Sequence, residues 1–373
     1  MKAIINAKII TEGKILNGYN ILYMNEIISI TKELPIWAHT IDAKGAYLSA
    51  GFIDLHIHGS AGFDIMDATS DALSSISNSI LQTGTTSFLA TTMTMAEEDI
   101  ILALKNIKEY KPKDGAKIIG VHLEGPFINP KKCGAQNPLY IQKPNIDFIR
   151  PYMDIIKMIT IAPEVDGSEE FIKNLNIEYP KTILSIGHSD ASYAQSKESF
   201  KLGISHATHL FNAMNPLHHR EPGIVGAVLS NDEVSCEIIA DKIHLHPSFF
   251  DLIYKLKRDK LMLVTDAMRA GCMRCGEYDL GGQKVTVKDG EARLKDGTLA
   301  GSVLLLNEAL RNFYEYTDIS LPKLIDMVTR IPAQKLGIKA GELKESHMAD
   351  MVLFDKDFNI LKSFVNGELL YQK

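Results

Sequence analysis

Eight short apolar runs, mostly separated by segments with helical periodicity, fill the middle of this 373-residue chain. The helical segments include residues 71–83, 97–110, 168–175, 190–202 and 247–256. Strands that alternate with helices lie parallel in one sheet, and eight repeats over about 250 residues fit an α/β fold of the (β/α)8 TIM barrel type. The predicted strands are residues 52–58, 86–92, 117–124, 157–164, 182–188, 204–209, 235–241 and 260–266.

The two ends of the chain have a different pattern, in which short strands are punctuated by Asn and Gly turns. Neither end is long enough to bury a core alone. We therefore predict one small β-sandwich domain built from residues 1–50 together with 335–373, and a barrel domain from 51–334. A hairpin-like insertion is expected after the eighth run, at residues 278–299.

Composition excludes several classes of protein. The net charge is -6 and the sequence pI is about 6.1, which gives no support for nucleic-acid binding. No apolar run approaches the roughly 20 residues of a membrane helix, and the N-terminus lacks a signal-peptide core, so the cytoplasm is expected. Cys272 and Cys275 form a CxxC pair without two further ligands, so they are interpreted as a reduced pair and not as a zinc site.

The first run ends in His56 and His58, which are separated by one residue. Residues i and i+2 of a strand point to the same face, so both imidazoles could reach one metal ion. Taken alone, the pair could equally be two polar residues at a strand edge.

Later runs also end in residues that can bind a metal. In a barrel these strand ends meet at one mouth, where a buried charge is costly unless it is paired or bound to a cation. Histidine and carboxylate ligands without cysteine suit zinc or iron(II) in an open catalytic site. Asp266 follows a buried run and fits a general base beside a metal-bound water, which predicts hydrolysis of an amide, ester or related bond. The residues at these ends are Glu124, Glu164, His188, His209, Asp241 and Asp266.

This pattern resembles the amidohydrolase superfamily, which has His-x-His on strand 1, His on strands 5 and 6, and Asp on strand 8. Within it, five motifs resemble the family of N-acetylglucosamine-6-phosphate deacetylases, in the same order and over nearly the whole chain. HLEGPF and HLFNAM are specific to this enzyme group, whereas His-x-His is not. The motifs are HLEGPF at 122–127, IGHSDA at 186–191, THLFNAM at 208–214, REPG at 220–223 and LAGS at 299–302.

The resemblance implies a role for each matching residue. Glu124, His188 and His209 would hold the principal metal, Zn2+ or Fe2+. His56 and His58 would allow a second ion, so one or two ions are expected per subunit. Asp266 would be the catalytic acid and base, and the products would be acetate and an amino-sugar phosphate.

The resemblance also implies a substrate site and a homodimer, whose interface could complete the phosphate site. Arg220 suits a phosphate because its guanidinium is a planar fork of donors, and backbone amides near Asn212 and Ala213 could donate to phosphate oxygens. Gln136 stands where some relatives have a histidine that polarises the substrate carbonyl. It can donate a hydrogen bond but carries no charge, so a second metal could take over that role. The implied substrate residues are Ala135, Gln136, Asn212, Ala213, Arg220, His244, Leu299, Ala300 and Gly301.

Two alternatives remain open at this point. One is another amidohydrolase, such as a deacetylase of N-acetylgalactosamine 6-phosphate, a cyclic-amide hydrolase or a dipeptidase. The other is a catalytically silent barrel that serves as a binding partner. For the remaining polar residues, we expect a structural ion pair at Glu164, a loop-holding role for Asp241, packing or support of the site for His122, and a structural role for His206.

Overall fold

The computed structural model describes residues 1–112 and 114–373, and its centre is a sheet of eight parallel strands in which each strand lies beside the preceding one. A parallel bridge between Ile57 and Ala267 joins the first strand to the eighth. The Asp266 N–H also donates to the His56 carbonyl at 2.8 Å. The sheet is therefore a closed barrel, which confirms the predicted (β/α)8 fold. Its strands are Phe52–Ile57, Thr85–Thr92, Lys117–Glu124, Ile156–Ile161, Ile183–Ile186, Ile204–Ala207, Ser235–Ile239 and Leu261–Val264.

Several strands end earlier than predicted, and the difference falls on site residues. His188, His209 and Asp266 each lie two residues beyond the end of their strand. Their φ angles are 45°, 30° and 49°, in the left-handed region that non-glycine residues rarely adopt. The chain turns at these residues, and so the predicted strand extensions to them are wrong. Strained backbone of this kind is concentrated at functional sites.

The helices pack their apolar faces on the barrel. In the helix Glu97–Glu109, the buried residues Ile100, Ala103, Leu104 and Ile107 recur at helical spacing. The predicted helix 71–83 is divided into an α-helix and a 3-10 turn, Ile80–Thr83. No helix in the described part of the chain is both long and apolar enough for a membrane crossing. The α-helices are Ser70–Ser79, Glu97–Glu109, Ile146–Ile149, Ser168–Glu178, Tyr193–Leu202, Gly223–Leu229, Ser248–Lys257, Leu306–Glu315, Leu321–Asp326 and Arg330–Leu336; the other 3-10 turns are Ile65–Asp67, Pro130–Lys132, Pro138–Tyr140, Arg150–Tyr152 and Arg258–Lys260.

Strands from both chain ends build two further sheets around a separate hydrophobic core. The C-terminal strand Met351–Phe354 lies between Tyr47–Ala50 and Ile360–Val365. This arrangement fits the predicted small β-domain, whereas its bounds at 50/51 and 334/335 stay a prediction. The four-stranded sheet is ordered Ile27–Thr31, Asn20–Tyr23, Lys2–Ile5, His39–Asp42; the six-stranded sheet is ordered Glu368–Gln372, Ile360–Val365, Met351–Phe354, Tyr47–Ala50, Lys8–Thr11, Lys14–Leu16.

The insertion after the eighth strand forms an antiparallel sheet of three strands, Gly276–Leu280, Gln283–Lys288 and Glu291–Leu294. Its buried residues share a small hydrophobic cluster with Met93 and Ala135, which follow the second and third barrel strands. The insertion therefore covers one side of the barrel mouth. A hairpin of two short strands, Gly59–Ser60 and Phe63–Asp64, follows the first barrel strand.

Candidate active site and metal centre

Two groups of three side chains meet at the C-terminal mouth of the barrel. Within each group, one ligand atom from each residue lies within 4.8 Å of the other two. All six side chains are buried, with at most 8% of any residue exposed. The barrel thus brings together all five predicted metal ligands and the predicted base. The groups are His56, His58 and Asp266, and Glu124, His188 and His209.

The second group is compact around one carboxylate oxygen. Glu124 Oε1 lies 3.2 Å from His188 Nε2 and 3.0 Å from His209 Nε2. The two Nε2 atoms are 3.1 Å apart. Each residue comes from a different strand or strand end, so this group exists only in the closed barrel.

The first group adjoins it through the same glutamate. His56 Nε2 and His58 Nε2 are 3.3 Å apart, and Asp266 Oδ1 lies 3.5 Å from the former and 3.3 Å from the latter. Glu124 Oε1 is 3.4 Å from His56 Nε2, and its Oε2 is 3.2 Å from His58 Nε2. Glu124 therefore touches both groups, as a bridging ligand would.

The hydrogen bonds of the histidines test whether a cation fits. His188 Nδ1 lies 2.8 Å from the Lys132 carbonyl oxygen, which can only accept a hydrogen bond, so Nδ1 carries the proton. In the neutral ring, Nε2 is then a bare lone pair that faces the Glu124 carboxylate. Lone pairs and carboxylate oxygens repel one another at this distance unless a cation lies between them, which is the arrangement of a histidine metal ligand supported by its other nitrogen.

Asp266 is suited to accept a proton. Burial raises the pKa of its carboxyl, but the electrostatic and hydrogen-bond contacts with the His56 and His58 rings outweigh burial and hold the pKa below its usual value. A bound cation would act in the same direction. The side chain is therefore an ionised carboxylate with Oδ1 at the metal groups.

A cavity of about 360 Å³ opens above the two groups. Two of the predicted substrate residues do not line it: Ala300 is fully buried, and Arg220 lies on an exposed loop with Nη1 2.7 Å from His219 Nε2. The predicted residues that line it are Ala135, Gln136, Asn212, Ala213, His244, Leu299 and Gly301.

The Gln136 side chain is locked in one orientation. Its Oε1 accepts a hydrogen bond from the Thr94 N–H at 2.8 Å, so the amide nitrogen must face the opposite side. There Nε2 donates to Glu124 Oε2 at 3.0 Å and lies 3.3 Å from His188 Nε2. A donor is thus fixed beside the candidate metal ligands.

Asp241 organises the loop after the seventh strand, as predicted. Its carboxylate accepts from the backbone N–H groups of Ile243 and His244, and its Oδ2 lies 2.6 Å from His244 Nδ1. Burial lowers the pKa of His244, but its contact with Asp241 outweighs burial and the net pKa is raised. His244 is therefore held rigidly at the cavity wall.

The backbone N–H of Asn212 has a hydrogen-bond partner within the protein. It donates to the His209 carbonyl at 2.9 Å, inside the turn that follows the sixth strand. The phosphate contact expected from the amides near Asn212 and Ala213 stays a prediction.

The ion pair expected at Glu164 is absent among the described residues. Glu164 instead accepts from the Asn129 and Ser189 side chains and the Asp190 N–H at 2.6–2.8 Å. These neutral donors satisfy it without a cation. His122 is fully buried with Nε2 2.7 Å from Thr160 Oγ1, and burial lowers its pKa to about 3, which fits a neutral packing role.

Sequence reasoning missed several lining residues, among them Met93, Leu280, Arg293 and Thr298. Arg293 brings a guanidinium into the cavity wall, where Nε contacts Glu291 Oε2 at 2.5 Å. It lies on the insertion, and only the alternation of Glu291-Ala-Arg-Leu294 in that hairpin could have indicated which side chains face the mouth. Cys272 and Cys275 are free thiols outside the cavity lining.

Comparison with known proteins agrees with this geometry. The sequence profile of the amidohydrolase family matches residues 47–370, and the chain therefore belongs to the amidohydrolase family. N-acetylglucosamine-6-phosphate deacetylase of Bacillus subtilis is 38% identical over 97% of this chain and 95% of its own length, and that of Lysinibacillus sphaericus is 41% identical over 89% and 87%. Within the family, the chain belongs to the N-acetylglucosamine-6-phosphate deacetylase group.

Solved structures show the same relationship. The crystal structure of N-acetylglucosamine-6-phosphate deacetylase from Pasteurella multocida superposes with a TM-score of 0.95 at 32% identity and covers 100% of both chains. The Thermotoga maritima enzyme superposes with a TM-score of 0.90 at 33% identity, again over 100% of both chains. The barrel and the sheets built from the chain ends are thus shared along their whole length.

Proposed function

We propose that this protein is a metal-dependent hydrolase that removes the acetyl group from N-acetylglucosamine 6-phosphate, giving glucosamine 6-phosphate and acetate. The reaction would belong to amino-sugar catabolism or cell-wall recycling, and a phosphorylated sugar substrate supports a cytoplasmic location. The observation that carries the proposal is the meeting of Glu124, His188 and His209 around one point at the floor of a cavity. Asp266 lies beside them as an ionised carboxylate.

The donor set fits a catalytic zinc or iron(II) ion. Glu124, His188 and His209 would hold the principal ion, and His56 and His58 would hold a second. An ion bound there supplies a water whose pKa is lowered towards about 7 and polarises the substrate carbonyl. The protein contributes fixed ligand orientation and burial, which keep that chemistry away from bulk solvent.

Asp266 is proposed to move the proton. It accepts the proton of the attacking water and returns it to the nitrogen of the departing amine, so one carboxylate is base and then acid. Its place beside His56 and His58, at 3.5 and 3.3 Å, puts Oδ1 at the floor of the cavity where the acetamide carbon would lie.

Gln136 and His244 are proposed to orient the acetamide and the sugar. The Gln136 amide is fixed with its N–H2 group towards Glu124 and can donate to the oxygen that gains negative charge. His244 Nδ1 is taken by Asp241, which leaves Nε2 for a sugar hydroxyl. Ala135, Ala213, Leu299 and Gly301 would shape the remaining wall, with Ala300 packed behind it.

Arg220 is proposed to bind the phosphate across a homodimer interface. Its guanidinium lies outside the cavity of its own subunit on an exposed loop. A fork of donors on such a loop can reach the cavity of a second subunit and pair with phosphate oxygens in two contacts.

A second candidate substrate is N-acetylgalactosamine 6-phosphate. N-acetylgalactosamine-6-phosphate deacetylase of Escherichia coli O157:H7 is 32% identical to this chain over 97% of both lengths. The two sugars differ only in the orientation of one hydroxyl group, so the wall residues around that hydroxyl would decide between them.

Acetate release from the two acetamido sugar phosphates tests the proposal directly. Chelator-treated protein should be inactive, and zinc or iron(II) should restore hydrolysis, fastest with the gluco sugar. Ion binding should also stabilise the fold, by about 2.7 kcal/mol at a free ion concentration 100-fold above Kd. Absence of bound metal together with absence of metal-stimulated hydrolysis would instead indicate a catalytically silent barrel.

A further inference from the structure

Glu237 is a carboxylate in the barrel interior that neither the metal groups nor the cavity include. It lies on the seventh strand and is 0% exposed. Its only ion-pair partners among the described residues are two histidines, His56 and His206. A fully buried carboxylate is costly unless hydrogen bonds satisfy it, so its contacts indicate what it is for.

Three donors satisfy Glu237, and two of them belong to candidate metal ligands. Its Oε1 lies 2.6 Å from His56 Nδ1 and accepts from the His209 backbone N–H at 3.2 Å. Its Oε2 lies 3.2 Å from His206 Nε2. His206 is in turn held through Nδ1, which lies 2.8 Å from Ser235 Oγ.

The contact with His56 decides which nitrogen of that ring carries the proton. A carboxylate at 2.6 Å keeps the proton on Nδ1, so Nε2 presents its lone pair towards His58 and Asp266. We propose that Glu237 is a positioning residue that fixes His56 in this state, with Nε2 directed at the second ion that His56 and His58 would hold. The inference rests on the proposed metal-dependent function.

The other imidazoles have weaker support. His188 is oriented by a backbone carbonyl, that of Lys132, and the Nδ1 atoms of His58 and His209 are buried without a hydrogen-bond partner. Among the four candidate ligands, His56 alone is supported by a carboxylate. A carboxylate partner makes an imidazole a stronger ligand, so loss of Glu237 should affect the His56 group first.

Glu237 also connects the two groups. Its backbone carbonyl accepts from the Leu210 N–H at 2.9 Å, while its side chain accepts from the N–H of His209. These two bonds hold the turn in which His209 adopts a φ of 30°. One residue therefore supports a side chain of the first group and the backbone of the second.

The test measures metal content in Glu237→Gln and Glu237→Ala. Gln keeps the size of the side chain and one acceptor but loses the charge, whereas Ala removes both. Cys236→Ala is the matched control, because Cys236 is fully buried on the same strand and neighbouring residues of a strand point to opposite faces. Each protein is stripped with chelator, titrated with Zn2+ and assayed by mass spectrometry for ions per chain; thermal unfolding of the stripped proteins checks folding.

We expect two ions per chain in the unmodified protein and in Cys236→Ala. Glu237→Gln should bind the ion at His56 and His58 about 10- to 100-fold less tightly and retain the ion at Glu124, His188 and His209. Glu237→Ala should lose the ion at His56 and His58. Two ions with unchanged affinity in Glu237→Gln would overturn the inference. One ion in the unmodified protein would also overturn it while leaving metal-dependent deacetylation intact, whereas no ion and no hydrolysis would refute the proposed function itself. If Glu237→Ala does not fold, Glu237→Gln decides.

Discussion

The two candidate metal-binding groups at the barrel mouth are assembled in different ways. His56 and His58 lie two residues apart, so a single strand presents both of them. Glu124, His188 and His209 come from three different parts of the barrel and meet only because the sheet closes. A buried carboxylate contacts the His56 ring of the first pair. In the second group, a backbone carbonyl contacts the His188 ring, and the same carboxylate accepts only from the backbone of His209, within a strained turn.

The difference shows that local sequence spacing can place ligand side chains, whereas distant residues orient them. Period-two spacing is enough to place two rings on one face. The orientation of each ring is a separate matter, which depends on partners far away in the sequence. Glu124 contacts both groups, whereas His58 belongs to the first group. Variants at these two residues therefore distinguish the loss of both ions from the loss of one.

The largest effect is expected for Glu124→Ala. Its carboxylate lies within 3.4 Å of histidines in both groups, so its loss should prevent retention of ions and reduce acetate release to background. His58→Asn is the matched variant, because it alters the first group alone. It should keep one ion and lose roughly 10- to 100-fold in kcat, which is the usual effect of weakened support at a metal site. Ion content and kcat measure both. Equal ion content in the two variants would contradict the distinction between the groups.

The next effect concerns Asp266, which lies in the first group by distance but is proposed to act as acid and base. Asp266→Asn has the same shape but cannot accept a proton, so kcat should fall by about 10²- to 10⁴-fold. The ion at Glu124, His188 and His209 should remain, as measured by metal content. Full activity in this variant would refute the assignment of the base.

The smallest effect is expected at Arg220, far from both groups. Arg220→Ala should raise KM for the phosphorylated substrate about tenfold, the equivalent of 1.4 kcal/mol, and leave kcat unchanged. The unphosphorylated sugar should show no change. Arg150→Ala is a suitable control, since Arg150 is also exposed and pairs with Glu178 on the outside of the barrel. An unchanged KM in Arg220→Ala would count against the phosphate role.

The strand pattern predicted the barrel because each apolar run must be buried on both faces in a parallel sheet. It did not predict where the strands end, since the left-handed turns at His188, His209 and Asp266 depend on contacts between strands. The five candidate metal ligands could be predicted from strand position and family motifs, and the structure brings them together.

Other parts of the site depended on tertiary structure. Arg293 could not be predicted as a wall residue because its place depends on how the insertion packs over Met93 and Ala135. Glu237 carried a signal that was not used: it is an acid in the middle of an apolar run. An acid within a buried strand requires partners, and its partners here are the site histidines.

The pairing of Ala50 with Met351 has a consequence for biosynthesis. Tyr47–Ala50 leads directly into the first barrel strand, yet its neighbour Met351–Phe354 leaves the ribosome only after nearly the entire barrel has been made. Until then, the edge of Tyr47–Ala50 that faces Met351–Phe354 is unpaired and open to other chains. Closing such a distant contact is slow, so the nascent protein should depend on chaperones during this interval more than a barrel with self-contained ends would.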